Sequence, residues 1–203
     1  MDLTTFAIEA VADFRTVGAV APSSRYLTQA MLGSLSLERA RVVVEVGPGT
    51  GAMTQALLKL IPLEATLLAF EINARFSRYL KSHISDPRLV VINASAETLK
   101  KEMHDRGYEF VDAVVSSLAL GLMPDWKRRT LLGELRSSLG EAGVFTQYQY
   151  FHRLQMKNGQ VKKFHLANLL RAYFSSVQQR IIWRNLPPAF VFTCRGPLSS
   201  GDR

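Results

Sequence analysis

The sequence predicts an α/β fold in which one seven-stranded, mostly parallel sheet ends in an antiparallel C-terminal hairpin and is preceded by N-terminal helices. Three observations predict it. Short β-branched runs alternate with helical patterns from Arg41 onward, a glycine-rich turn follows the first run, and two strand-like runs lie close together near the end. The 203 residues suffice for one well-filled core with a small appendage, so residues 1–36 are expected as a helical front unit and 37–203 as the main domain.

In the front unit, Leu3, Phe6, Ala7, Ala10, Val11 and Phe14 recur at helical spacing and form an apolar stripe, with Asp2, Glu9 and Asp13 away from it. Gly18 and Pro22 interrupt the chain, and Ser23 or Ser24 can cap a second helix through Tyr26 and Leu32. The stripe suits either packing across its own domain or lying on a membrane surface.

In the main domain the parallel strands are expected at Val42 to Val46, Thr66 to Glu71, Leu89 to Asn93, Asp112 to Ser116 and Val144 to Tyr150. Helical stretches lie between them at Gly51 to Ile61, Ala74 to Ile84, Ala96 to Arg106 and Asp125 to Leu139. Pro124 suits the opening of the last helix, and Gly140 and Gly143 suit its exit. Val177 to Trp183 and Ala189 to Arg195 form the closing hairpin around the turn Asn185-Leu186-Pro187-Pro188.

Composition narrows the partners. No apolar run approaches the roughly 20 residues needed to span a bilayer, and no secretory signal pattern opens the chain, so a cytoplasmic address is expected. The formal net charge of +8 favours polyanions, either nucleic acid or an anionic membrane face. Cys194 is the one cysteine, which excludes an intramolecular disulfide, and its apolar run points to strand packing.

The chemistry concentrates at strand ends. Gly47-Pro48-Gly49-Thr50-Gly51 allows a ligand to approach the backbone at a helix N-terminus. Its G-x-G-x-G spacing differs from the dinucleotide G-x-G-x-x-G, and Glu45, two residues before the first glycine, opposes a pyrophosphate and favours a cation. Glu71 ends the second strand about 20 residues further on, where a carboxylate accepts hydrogen bonds from ribose hydroxyls. Ser95 ends the third strand, either as a helix N-cap or as a contact for a bound ring. Ser116-Ser117-Leu118 ends the fourth, on the edge where open α/β sheets place substrate.

Thr16 to Ser24, Val44 to Gly51, Phe70 to Asn73 and Ser116 to Leu118 together resemble the bacterial phospholipid N-methyltransferases, with a secondary similarity to ribosomal RNA adenine dimethylases. The resemblance implies a Rossmann-like class I methyltransferase fold that uses S-adenosylmethionine and releases S-adenosylhomocysteine. It assigns Glu45, Gly47, Gly49, Thr50, Gly51, Glu71, Ile72, Ser95, Ala96 and Ser116 to the cofactor, with Ser95 standing where the family carries an adenine-side Asp. The implied reaction is stepwise methylation of phosphatidylethanolamine toward phosphatidylcholine by an enzyme peripheral to the inner membrane.

Enzymes that methylate the adenine amine carry Asn or Asp, then Pro-Pro or Leu-Pro, then an aromatic after the fourth strand. This chain lacks all three there, which favours a lipid over RNA; an RNA adenine N6-methyltransferase is the alternative. Ser116, Tyr26 and Tyr148, with Tyr150, are the candidates for handling the amine and its proton, although each tyrosine also suits core packing. Arg153 and Lys162, in the long basic connection from Tyr150 to Phe174, are the candidates for the lipid phosphate. His152 and His165 have no ligand cluster around them, so no metal site is expected. The membrane contact is expected through the N-terminal helix, without a nucleic-acid partner.

Overall fold

The computed structural model describes residues 24–150, 154–157, 160–163 and 165–198. The expected helix of residues 3–14 and the candidate Arg153 lie outside them, as does the side chain of Lys162.

The chain enters through helix α1 (Arg25–Leu32), capped by Ser24, whose hydroxyl accepts from the Leu27 amide. Strand β1 (Val42–Val46) leads through the glycine loop to α2 (Ala52–Leu58), followed by β2 (Thr66–Phe70) and α3 (Ala74–His83). Next come β3 (Leu89–Ile92), a 3-10 turn (Ala96–Thr98), α4 (Leu99–His104), β4 (Val111–Ser116), α5 (Asp125–Ser138) and β5 (Leu139–Tyr150). A separate two-stranded ribbon, β6 (Leu154–Lys157) with β7 (Gln160–Lys163), precedes α6 (Leu166–Leu170) and the final pair β8 (Phe174–Ile182) and β9 (Ala189–Pro197).

The sheet runs β3-β2-β1-β4-β5-β9-β8. Its first five strands are parallel, and β9 pairs antiparallel with both β5 and β8. This is the predicted architecture. Because successive side chains of a strand face opposite sides, Val42, Val44 and Val46 join one apolar layer with Leu99 of α4, Leu132 of α5 and Leu166 of α6. Val43 joins the other layer, with Leu27 and Met31 of α1 and Leu57 of α2. Cys194 is fully buried in the first layer, as its apolar run implied.

Two elements depart from the expected boundaries. Helix α5 passes into β5 without a loop, so Gly140 and Gly143 lie inside the strand rather than at a helix exit. A Cβ at Gly140 would come within 2.8 Å of the Phe110 ring, so close packing accounts for that glycine. The long basic connection after Tyr150 holds the β6–β7 ribbon followed by α6. The ribbon's signal was two alternating runs separated by Asn158-Gly159, a pair favoured in two-residue hairpins.

Candidate active site

Parity along β1 places Glu45 on the same face as Val43, beneath α2, and removes it from solvent. The Thr54 hydroxyl of α2 donates to its Oε2 at 2.6 Å, while Oε1 has no hydrogen-bond partner among the described residues. Burial pushes this carboxyl up to about 7; the Thr54 hydrogen bond lowers it, and the nearby Glu71 charge raises it further. Glu45 is therefore a buried acceptor held under the loop, ready to compensate a cation.

The loop itself turns on left-handed glycines. Gly49 has φ +57° with open space on its Cβ side, so a side chain there would stand in the cleft above the loop. Gly51, at φ +87°, is the N-cap of α2, and a Cβ would come within 2.7 Å of Leu80. Thr50 is exposed at the loop tip.

Across the cleft, Glu71 is mostly buried at the end of β2. Its Oε2 accepts from the Gly49 amide at 3.0 Å and its Oε1 from the Asn73 amide at 2.8 Å. Burial raises its pKa against the lowering effect of these two amides. Asn93, at the end of β3, braces the same corner by donating to the Glu71 carbonyl at 2.7 Å. Ile72 beside it is half exposed and offers an apolar surface.

Ser95 does act as an N-cap, its hydroxyl accepting from the Glu97 amide at 3.3 Å, and Ala96 is buried behind it. Glu97 has a buried Oε1 with no partner among the described residues. An acceptor is thus available close to where the adenine-side Asp is missing.

On the acceptor side, Val46, Ser116 and Gln147 stand in register across β1, β4 and β5. Ser116 is fully buried, and its hydroxyl accepts from the Leu118 amide at 3.4 Å. Gln147, also fully buried, donates from Nε2 to the Leu118 carbonyl at 2.9 Å and to the Tyr148 carbonyl at 2.6 Å. Its Oε1 has no partner among the described residues. Gln147 escaped the sequence reading; the signal was an amide inside an otherwise apolar and aromatic strand.

A cleft beside this segment is lined by Ser117 to Gly121 together with Tyr148, Tyr150 and Leu166. Tyr148 and Tyr150 meet edge to face there, with ring centroids 5.3 Å apart. Tyr26 sits instead at the turn between β8 and β9. Its hydroxyl accepts from Arg25 at 2.9 Å, and the guanidinium groups of Arg25 and Arg184 lie 4.8 and 5.6 Å from its ring centroid.

These groups fit the expected cofactor. The unpartnered Glu45 oxygen, the open space over Gly49 and the Glu71 carboxylate at the neighbouring strand end provide acceptors and backbone room for a ligand with one cationic end and a ribose.

Residues 43–143 match the methyltransferase domain family. The chain is 28% identical over 188 residues to an ornithine lipid N-methyltransferase of Singulisphaera acidiphila, covering 89% of this chain and 88% of that one. Its fold is similar to that of Burkholderia thailandensis 1,6-didemethyltoxoflavin-N1-methyltransferase, solved with 1,6-didemethyltoxoflavin and S-adenosylhomocysteine. That likeness has a TM-score of 0.71 at 20% identity and covers 97% of this chain and 88% of that one. Human methyltransferase-like protein 13, solved with S-adenosylhomocysteine, is similar at TM-score 0.62 and 18% identity, over 85% of each chain. The glycine loop with its two flanking carboxylates, the sheet order and the domain match together make this chain a member of the class I S-adenosylmethionine-dependent methyltransferases.

Proposed function

We propose that the chain methylates the amine headgroup of a bacterial membrane lipid. The observation that carries the choice of acceptor is its likeness, over nearly the full length of both chains, to an ornithine lipid N-methyltransferase. The acceptor segment supports it: small hydroxyls and an oriented carbonyl stand where base-methylating enzymes carry an amide, prolines and an aromatic. Ornithine lipid is therefore a substrate to test beside phosphatidylethanolamine.

When bound, S-adenosylmethionine supplies an electrophilic methyl group. Glu45 and the loop from Gly47 to Gly51 would hold its amino-acid end, Glu71 its ribose, and Ile72, Ala96 and the Ser95–Glu97 turn its adenine. The amine must lose a proton before it can attack, and the chain's task is largely positioning. The Leu118 carbonyl, engaged by both the Gln147 amide and the Leu120 amide, fixes the acceptor segment against which the amine would be positioned. Tyr148 and Tyr150 wall the cleft and favour the methylated cation through their ring faces. The ammonium proton leaves to water, directly or relayed by a tyrosine hydroxyl, before the N–C bond would form and the donor's S–C bond break, with S-adenosylhomocysteine as the leaving group. Arg153 and Lys162 remain our candidates for the lipid phosphate, and residues 1–15 for a surface helix.

The test supplies methyl-labelled cofactor with vesicles containing phosphatidylethanolamine, vesicles containing ornithine lipid, or RNA. Label in either aminolipid is expected. Label only in RNA would overturn the proposal.

A further inference from the structure

The turn between β8 and β9 presents large apolar side chains to solvent: Leu186 is 88% exposed, Trp183 69% and Ile181 41%. The turn is nevertheless anchored. Asn185 is buried, accepts from the Ser24 hydroxyl at 2.6 Å and donates to the Pro187 carbonyl at 2.6 Å, fastening the turn to the start of α1. An ordered base with an apolar crown marks an interaction surface.

Register places this crown at the substrate edge of the sheet. Ile182 and Tyr150 both pair with Ala189, so the turn projects from the same edge as the carboxyl end of β5. Tyr150 lies three residues beyond Gln147, so the turn stands about 10 Å above the row of Val46, Ser116 and Gln147. Whatever the crown enters also faces the acceptor cleft.

Charge identifies the occupant. Residues 142–201 hold eight of the chain's 25 Lys and Arg and none of its 17 Asp and Glu, so this stretch accounts for the whole net charge of +8. Arg180 and Arg184 flank the crown and are exposed, and Arg25 approaches from α1, a helix without an acidic residue. Tryptophan with leucine between arginines suits the boundary of an anionic bilayer, where the indole and aliphatic groups enter and the guanidinium groups meet phosphates. RNA would satisfy the arginines but not an exposed leucine and isoleucine.

We propose that the β8–β9 turn is a membrane-docking tip, inserting Trp183 and Leu186 into an anionic lipid surface and setting the acceptor cleft against the headgroups. This assignment rests on the aminolipid reading of the site and adds a contact distinct from any made by the N-terminal segment.

The chain has two tryptophans, so the full-length Trp126→Phe variant makes Trp183 the sole reporter. Vesicles of phosphatidylglycerol and phosphatidylethanolamine should blue-shift its emission and allow quenching by lipids brominated on their acyl chains. A Trp183→Ala/Leu186→Ser variant should partition onto these vesicles about tenfold less, and Arg180→Glu/Arg184→Glu should lose binding most at low salt. Both should still methylate a short-chain aminolipid dispersed below its micelle concentration, with kcat within about twofold of the parent. Vesicle binding with unquenched Trp183 would overturn the docking tip, as would equal partitioning of parent and Trp183→Ala/Leu186→Ser proteins. Quenching by bound RNA with no response to vesicles would overturn it too. Failure to methylate any dispersed aminolipid would instead remove the functional reading, whatever the fluorescence showed.

Discussion

The Glu71 carboxylate and the Gly49 amide are joined by a 3.0 Å hydrogen bond that spans the cleft from the end of β2 to the glycine loop. The acceptor assigned to the ribose thus also holds the loop in place. A carboxylate has about four acceptor positions, so the ribose and the loop can share it. Glu71→Gln keeps an oxygen for the Gly49 amide but loses the charge, whereas Glu71→Ala loses both. S-adenosylhomocysteine affinity, measured by titration calorimetry, should fall roughly 10- to 100-fold for Ala and less for Gln. Equal affinity in Glu71→Ala would exclude it from the ribose contact.

Glu45 carries a pH signature. Its folded carboxyl keeps a proton up to about pH 7, whereas the unfolded one loses it near 4.5. The folded state therefore binds more protons between these values. Its stabilising contribution is complete below about pH 4.5 and is lost as pH rises through about 7, amounting to about 3 kcal/mol. Glu71, raised in the same direction, adds to the slope. Denaturant titrations between pH 5 and 8 should show a shallower decline for Glu45→Gln than for the parent. Cofactor affinity should rise over that range more steeply in the parent than in Glu45→Gln, because a cationic ligand favours the ionised carboxylate. Identical pH slopes in the two proteins would rule out this titration.

Gln147→Leu separates positioning from stability. The substitution removes the hold on the Leu118 carbonyl, which still accepts from the Leu120 amide at 2.9 Å, and removes a buried oxygen that lacks a partner. Thermal stability should stay level or rise, while kcat falls about tenfold and cofactor affinity is unchanged. A parent-like kcat would remove Gln147 from the acceptor machinery.

Cys194 should be chemically silent in the folded chain. It is fully buried on β9, and burial pushes its thiol up to about 12, leaving very little thiolate at neutral pH. Reaction with an aromatic disulfide reagent should track unfolding through a denaturant series. Rapid labelling without denaturant would show that β9 opens locally.

Glu45, the three loop glycines and Glu71 were legible in the sequence because their work is local: a turn needing left-handed backbone, and carboxylates at adjacent strand ends. Gln147 was not, because its role depends on β4 and β5 pairing in one register, bringing it to a carbonyl 29 residues earlier. Tyr26 shows the same limit. Nothing in its local sequence pairs it with Arg184, whose guanidinium lies 5.6 Å from its ring in the fold. The direct passage of α5 into β5 was hidden because a glycine packed against Phe110, Gly140, looks like a glycine chosen for a turn.

The row of Val46, Ser116 and Gln147 behaves like a machinist's jig. Neighbouring strands in a sheet lie about 4.8 Å apart, a spacing set by backbone hydrogen bonds and not by the identity of any side chain. The bench where a methyl donor is clamped and the bench where its recipient is presented are therefore cut from one piece of stock. On the proposed reading, a different recipient would call for changes in the segment after Ser116, while the spacing of the strands beneath it stays the same.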